Sequence, residues 1–554
     1  MKITVPKEIQ NIAEELIKAG FQAYLVGGCV RDLLLAQMGE SRINADLNAD
    51  KRGKFLEPKD WDIATNAKPG EIQKIFPDSV YENQFGTVAV KTQTNTDRTR
   101  TKTDKTQTDI DQNTDSHGKS QSKSVFSPYQ SVSVVEVTTF RLEGKYTDKR
   151  HPDEIKFAKT IEEDLARRDF TVNAMAMVLQ SAKRKAPSVN NLQFAISDLQ
   201  IVDPFGGQED LKKKLIRAVG NPDERFSEDA LRLMRAVRFA AQLEFTIEPA
   251  TQAAIKKHAG LLEFIAKERI RDELEKILMS DDAVQGIEML REFDLLRHVL
   301  PEIEEGVGVG QNKHHIYTVY EHNLRSFEYA VKENFSFDVR LASLLHDVGK
   351  PRVKAGEGPD STFYGHQVVG ERMVLEMLDR LHFPRKLVEK VALLVREHMF
   401  VYDPETVTLA GVRRLVRRAG AENMEDLLKL READRIGSGV PKAQPYRLRY
   451  LKAMIEKVQK DPIHPKMLKI KGDAVMEILR IEPGPKVGKV LAILLEEVLD
   501  EPSLNEGDKL KKRAQELGKL SERELNRLAE RAKRKAEDVQ KRIDDEIKKK
   551  YFVK

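Results

Sequence analysis

LVGGCVRD at residues 25–32 and DWDIAT at residues 60–65, read together, decide what the first half of the chain builds. The first is a diglycine turn running into helix-forming residues, and the second carries two acids one residue apart. Side chains alternate across a strand, so Asp60 and Asp62 project to one side with Trp61 behind them. Two carboxylates there can hold Mg²⁺, which takes a few oxygen ligands and leaves its other positions to water and phosphate. Gly27 and Gly28 remove the side chains that would keep the backbone away from a triphosphate, and the helix opening near Val30 presents free N–H groups to that anion. Either motif alone reads as a solvated turn. Both, in this order, point to metal-assisted chemistry on a nucleotide.

Further along, EVTTFR (136–141), RRDFTVNAMA (167–176), DPFGG (203–207) and RFSEDALRLMRAVRFA (225–240) follow at short spacings. On the Val- and Thr-rich stretch 132–140, Val134, Glu136 and Thr138 share a face. If that strand lies beside the one bearing Asp60 and Asp62, Glu136 is a candidate third carboxylate, with Asp169 its rival. From Ala230, apolar residues recur at 230, 233, 234, 237, 240 and 241, which predicts a helix with one buried face. Asp229 and Arg232 are three apart on another face. Side by side they offer an acceptor and donors, enough to pair with the Watson–Crick edge of cytosine or adenine. Arg235 and Arg238 continue the threefold spacing and suit a structural role or RNA phosphate.

These successive motifs resemble, from about residue 20 to 280, the class II tRNA nucleotidyltransferases that build the CCA 3′ end, whose close relatives are bacterial poly(A) polymerases. The resemblance implies a nucleotide-binding set of Gly27, Gly28, Arg31, Asp32, Arg168, Asp169, Asn173, Asp229, Arg232, Arg235 and Arg238, with Asp60, Asp62 and Glu136 catalytic and Mg²⁺ on Asp60 and Asp62. It gives Arg168 and Asp169 the phosphate and ribose, where Asp169 accepts from a 2′-hydroxyl. It makes Asp229 and Arg232 the counterpart of the EDxxR motif, an amino-acid template in place of a nucleic-acid one. The implied partners are tRNA, CTP and ATP. Alternatives of the same kind are a poly(A) polymerase or an enzyme adding only CC or only A. Against poly(A) polymerase, the stretch after GTVAV (86–90) lacks a basic GRRF-like run.

A second series lies in EHNL (321–324), LLHDVGKP (344–351), YGHQVVG (364–370), REHM (396–399) and READR (431–435). It resembles the HD phosphohydrolase superfamily, which implies metal ligation by His322, His346, Asp347, His366, His398 and Asp434. Imidazole with carboxylate suits Mn²⁺, Ni²⁺, Fe²⁺ or Co²⁺ better than Mg²⁺. Lys350 either contacts a substrate phosphate or is a solvated lysine after a glycine turn. His314 and His315 precede the series, with His315 suited to orienting a ligand. The implied reaction is hydrolysis of phosphomonoesters or 2′,3′-cyclic phosphodiesters. A reading of another class follows: an HD phosphohydrolase whose N-terminal half only docks tRNA.

Composition fits these readings. The 554 residues hold 94 basic and 89 acidic side chains for a net charge of +5, so RNA contact must come from local basic patches. The single cysteine, Cys29, cannot form an intramolecular disulfide and reads as a packing residue. No signal-peptide core or membrane-length apolar run is present, so no membrane partner and a cytoplasmic location are expected. The Thr/Asp/Lys/Gln tract 92–124 has almost nothing apolar and is expected to be a disordered insertion at a hairpin tip, between GTVAV and VSVVEVTTF. Residues 40–57 read as a similar polar insertion. The expected fold class is α+β: a nucleotidyltransferase head of polymerase β type with a mixed sheet (1–180), an all-α neck (200–300), an HD domain (310–440), and a helical C-terminal body with a charged tail (441–554).

Overall fold

The computed structural model describes residues 2–38, 58, 60–81, 86–91, 134–143, 155–178, 193–195, 200–312, 316–460 and 468–532. The chain divides into two compact units, Met1–Val299 and Leu300–Lys554. The α+β class holds, with the large sheet in the first unit and helices throughout the second.

The first unit is organised by seven strands: β1 (Ala23–Val26), β2 (Asp62–Thr65), β3 (Ser79–Tyr81), β4 (Thr87–Lys91), β5 (Val134–Thr139), β6 (Ala176–Val178) and β7 (Ile201–Val202). Their order across the sheet is β7-β6-β1-β2-β5-β4-β3. β1 runs antiparallel to β2 with Val26 opposite Asp62, and β2 runs parallel to β5 with Asp62 opposite Glu136. Val26 is the last residue before the diglycine, so this register brings the turn and both acids to one end of the sheet. β4 and β5 pair antiparallel from Thr87↔Thr138 to Lys91↔Val134, the expected hairpin. The tract 92–124 that joins them and the segment 40–57 lie outside the described residues.

Two sequence expectations change in detail. β2 begins at Asp62, and Asp60 is an exposed residue ahead of it rather than a strand residue. The amphipathic helix is Leu231–Leu243, burying Leu233, Met234, Val237, Ala240 and Ala241 as the spacing predicts. Asp229, however, sits in a break after the helix Pro222–Glu228, with φ −134° and ψ 104°. Its Oδ1 accepts from the Leu231 amide at 3.1 Å, a local bond that competes with helix continuation. Cys29 is buried, its thiol pushed up to about 12 by that burial, as a packing residue should be.

In the second unit, the helices Val319–Lys332, Phe337–Leu345, His366–Arg380, Arg385–Glu397 and Met424–Gly437 pack around Phe327, Leu341, Leu344, Val374, Leu394 and Leu430. Gly349 explains the glycine of HDVGK: an added Cβ there would lie 2.3 Å from the His366 carbonyl, so only glycine lets the two ligand-bearing segments touch. Further on, the helices Gly472–Leu479, Pro485–Asp500 and Gly507–Gly518 bury a separate core that includes Val475, Val490, Leu494, Leu510 and Leu517. Among the described residues no helix is long and apolar enough to cross a membrane.

Candidate functional site

The first unit brings Gly27, Asp62 and Arg168 together at the end of β1 and β2, with Glu136 opposite Asp62. Gly27 has φ +78°, the left-handed region, and an added Cβ would stand 2.9 Å from Arg168 Nη1 and 3.7 Å from Asp62 Oδ2. The diglycine turn, the Arg168 guanidinium and the Asp62 carboxylate therefore adjoin one another. Burial lifts the Asp62 carboxyl above the ordinary range, Arg168 opposes the shift and the Asp60 carboxylate reinforces it. A divalent cation there would relieve both the desolvation of Asp62 and its repulsion by Asp60. Gly27→Ala should raise KM for the nucleotide about tenfold in steady-state assays with kcat less affected, because the added Cβ would push the Arg168 guanidinium aside, and a loss of about 1.4 kcal/mol of binding is a factor of ten.

Around this centre the remaining residues form a fixed frame. Arg31 is buried, donating from Nε to Asp32 Oδ1 (2.8 Å) and from Nη1 to Asn173 Oδ1 (2.9 Å). Asp169 receives Arg235 at 2.6 Å on Oδ2 and the Phe170 amide at 2.8 Å on Oδ1. Burial alone would raise its pKa, but Arg235 holds the carboxyl at about 2. With both oxygens engaged, Asp169 is poorly placed to serve as the third metal carboxylate, whereas Glu136 stands opposite Asp62. Arg238 is buried against Glu273 (3.0 Å) and over the Phe239 ring (4.1 Å), a structural position. Burial pushes its guanidinium down to about 10 despite that glutamate.

Asp229 and Arg232 are each anchored elsewhere. Arg269 grips Asp229 through Nη1 (3.3 Å) and Nη2 (2.9 Å), and Arg232 bonds Glu228 (2.6 Å) and the carbonyls of Arg225 and Arg167. Arg269 carries no sign in the sequence, and Glu228, the first acid of the EDxxR-like run, takes a role that the resemblance did not assign it. Arg269 lies 40 residues from its partner, with no local pattern to betray it.

The second unit brings all six predicted metal ligands together. His322, His346 and Asp434 form one group and Asp347, His366 and His398 another, all buried and with ligand atoms within 4.8 Å inside each group. Asp347 reaches both: Oδ2 is 3.2 Å from His322 and 3.4 Å from His346, while Oδ1 is 3.3 Å from His366 and 3.6 Å from His398. The rings of His346, His366 and His398 direct Nδ1 to the carbonyls of Ser343, Phe363 and Val395 at 2.9, 2.8 and 2.7 Å. A carbonyl only accepts, so each Nδ1 carries the hydrogen and each Nε2 turns its lone pair to the cluster, the tautomer a metal requires. Burial pushes His398 down to about 4, keeping it neutral for ligation. The donor set of each group fits a divalent metal ion, and Asp347 is within reach of both groups.

Lys350 is not the solvated lysine of the alternative expectation. It is buried, 2.5 Å from Asp347 Oδ2 and donating to Gln311 Oε1 at 2.6 Å. A cleft of about 410 Å³ opens onto the cluster, lined by Asp347, Lys350, His366, His398 and Asp434. His314 and His315 lie outside the described residues.

Known proteins match stretches in both units. Residues 23–126 and 117–217 match the Poly A polymerase head domain, 244–306 the "Probable RNA and SrmB- binding site of polymerase A", and 319–437 the HD domain. An A-adding tRNA nucleotidyltransferase of Deinococcus radiodurans is 38% identical over 358 residues, which is 62% of this chain and 76% of that protein. A CCA-adding enzyme of Limosilactobacillus reuteri is 39% identical over 277 residues, half of each chain. Among solved structures, the CCA-adding enzyme of Bacillus stearothermophilus in complex with CTP aligns with a TM-score of 0.54 at 25% identity, covering 92% of this chain and 96% of that one.

Proposed function

The chain belongs to the tRNA nucleotidyltransferase and poly(A) polymerase family, and from that premise we propose that it adds CCA to tRNA 3′ ends from CTP and ATP. The observation that carries the reading is the juxtaposition of Gly27, Arg168, Asp62 and, in register on the next strand, Glu136. Mg²⁺ held by Asp60 and Asp62, with Glu136 as the third carboxylate, would lower the pKa of the RNA 3′-hydroxyl and neutralise charge on the α-phosphate. The chain's own residues position the reactants. The diglycine turn admits the triphosphate, Arg168 meets its charge, and Arg31 is held in place by Asp32 and Asn173. Asp229 and Arg232, each steadied by a neighbour, would present fixed edges to the incoming base.

Addition of A alone is the second reading, favoured because the Deinococcus relative, whose name is A-adding, shares the longer alignment. Transcripts ending before CCA, after CC and after CCA, each incubated with single nucleotides, separate the readings. Stepwise C, C, A supports full addition, A only on the CC end supports the narrower enzyme, and long A runs support a poly(A) polymerase. No incorporation on any transcript would falsify the proposal. Replacing Asp229 or Arg232 with alanine should relax base choice by about tenfold while triphosphate binding changes less, since an unpartnered polar group in such a site costs about 1–3 kcal/mol. Unchanged discrimination among CTP, ATP, UTP and GTP in both variants would remove the template role.

For the second unit we propose hydrolysis of phosphomonoesters or 2′,3′-cyclic phosphodiesters. The water oxygen bonds to phosphorus, the P–O ester bond breaks, and the water's proton goes to the departing alkoxide. Transition-metal ions on His322, His346, Asp347, His366, His398 and Asp434 would supply the activated water.

A further inference from the structure

Among the described residues, three cations line the cleft above the second unit's metal ligands, and two are already committed: Lys350 to Asp347 and Arg431 to Asp434 at 2.7 Å. Arg435 differs. Its neighbours are neutral oxygens, the Tyr402 hydroxyl at 2.6 Å and the Lys442 carbonyl at 3.5 Å. Its guanidinium also lies over the Tyr402 ring at 5.8 Å, and its Nε is buried without a hydrogen-bond partner. A planar donor fork kept in place by an aromatic ring, with no ion pair to an acid among the described residues, suits a phosphate oxygen.

The apolar part of the same cleft is unusual for its exposure. Tyr364, two residues before the ligand His366, is 86% exposed, and Met399, next to the ligand His398, is 55% exposed. Singly exposed apolar residues are ordinary, but two that line the same cleft beside metal ligands suit a binding surface. An aromatic face next to phosphate-binding cations matches a nucleotide, since every base has a π-face to stack.

We infer that Tyr364 is a stacking platform for the nucleobase of the phosphoester that this cleft takes, with Arg435 holding the phosphate. The inference rests on the hydrolytic reading of the second unit and adds to it how substrate is selected. The cleft then prefers nucleotides over phosphoesters that lack a base, and Tyr364 is a specificity residue that leaves the bond-breaking step to the metal ligands.

The test uses the full chain loaded with Mn²⁺ and two matched substrate pairs: adenosine 2′,3′-cyclic phosphate against glycerol 1,2-cyclic phosphate, and adenosine 3′-monophosphate against glycerol 2-phosphate. Tyr364→Ala should lower the preference for the nucleotide over its base-less counterpart, as a ratio of kcat/KM, by about tenfold. The loss should appear in KM, and Tyr364→Phe should restore it. Calorimetric titration with adenosine 3′-monophosphate provides a readout independent of turnover. Nucleotide bound by the first unit is common to wild type and Tyr364→Ala, so the difference between them reports the cleft. An unchanged preference with superimposable titrations overturns the platform. If wild type hydrolyses none of the four compounds, the hydrolytic reading falls, and the titration alone decides: a weaker isotherm in Tyr364→Ala upholds base stacking, and identical isotherms end it.

Discussion

Asp62→Ala should reduce nucleotide incorporation by on the order of 10³-fold, because a metal-stabilised charge is worth several kcal/mol in the transition state and each 1.36 kcal/mol is a factor of ten. Asp62 adjoins the diglycine turn and Arg168, lies in register with Glu136, and has its carboxyl raised by burial and by Asp60. Asp60→Ala should follow it. tRNA affinity should change no more than a few-fold, since these acids repel the RNA backbone. Filter binding and single-nucleotide incorporation on the same preparations check both halves. Wild-type turnover by either variant with Mg²⁺ would show that the metal sits elsewhere.

The second large effect concerns metal content. Asp347 spans both ligand groups, so its loss should cost both ions, whereas His366→Ala should cost only the ion of the second group. Elemental analysis of wild type, His366→Ala and the double variant His346→Ala/Asp347→Ala should therefore give two, one and no transition-metal ions per chain. Hydrolysis of 2′,3′-cyclic nucleotides should vanish in the double variant, and CCA addition in Mg²⁺ should persist. Because Lys350 is buried against Asp347, removing the carboxylate leaves an unpaired cation and threatens the fold by about 3–5 kcal/mol. Asp347→Asn with Lys350→Met keeps the volume and removes that charge, and it should still bind no metal. A wild type free of transition metal would recast the second unit as a body without metal chemistry.

The parts of the sites that were legible in sequence are those whose chemistry is local. HDVGK, GG and DWD declare themselves because a metal or phosphate demands those residue types within a few positions. The period of 230, 233, 234, 237, 240 and 241 was legible because helical burial repeats every three or four residues. The β2–β5 pairing is not legible in the sequence, since Asp62 and Glu136 are far apart in the chain and a parallel pair gives no turn signal. Arg269 on Asp229 is a contact of the same long-range kind. Arg435 stood in the quoted READR and Tyr364 in the quoted YGHQVVG. Neither spoke until Tyr402 and the cleft were placed beside them, because exposure and the sign of a neighbour are properties of packing. Asp60 shows the opposite error, a strand extended two residues too far for the sake of its alternation.

The parallel pairing of β5 with β2 has a consequence for how this gene can change. A connection between two strands normally sets their register, and a slip of one residue turns every side chain over. Here β5 is aligned on its other side by β2, through four consecutive pairs from Asp62↔Glu136 to Thr65↔Thr139. The position of Glu136 is thus also set by β2, a strand that the connection does not touch. Lengthening that connection costs about 0.6 kcal/mol per doubling. Insertions after Lys91 should accordingly leave nucleotide incorporation within a few-fold of wild type, since pairing with β2 keeps Glu136 in frame.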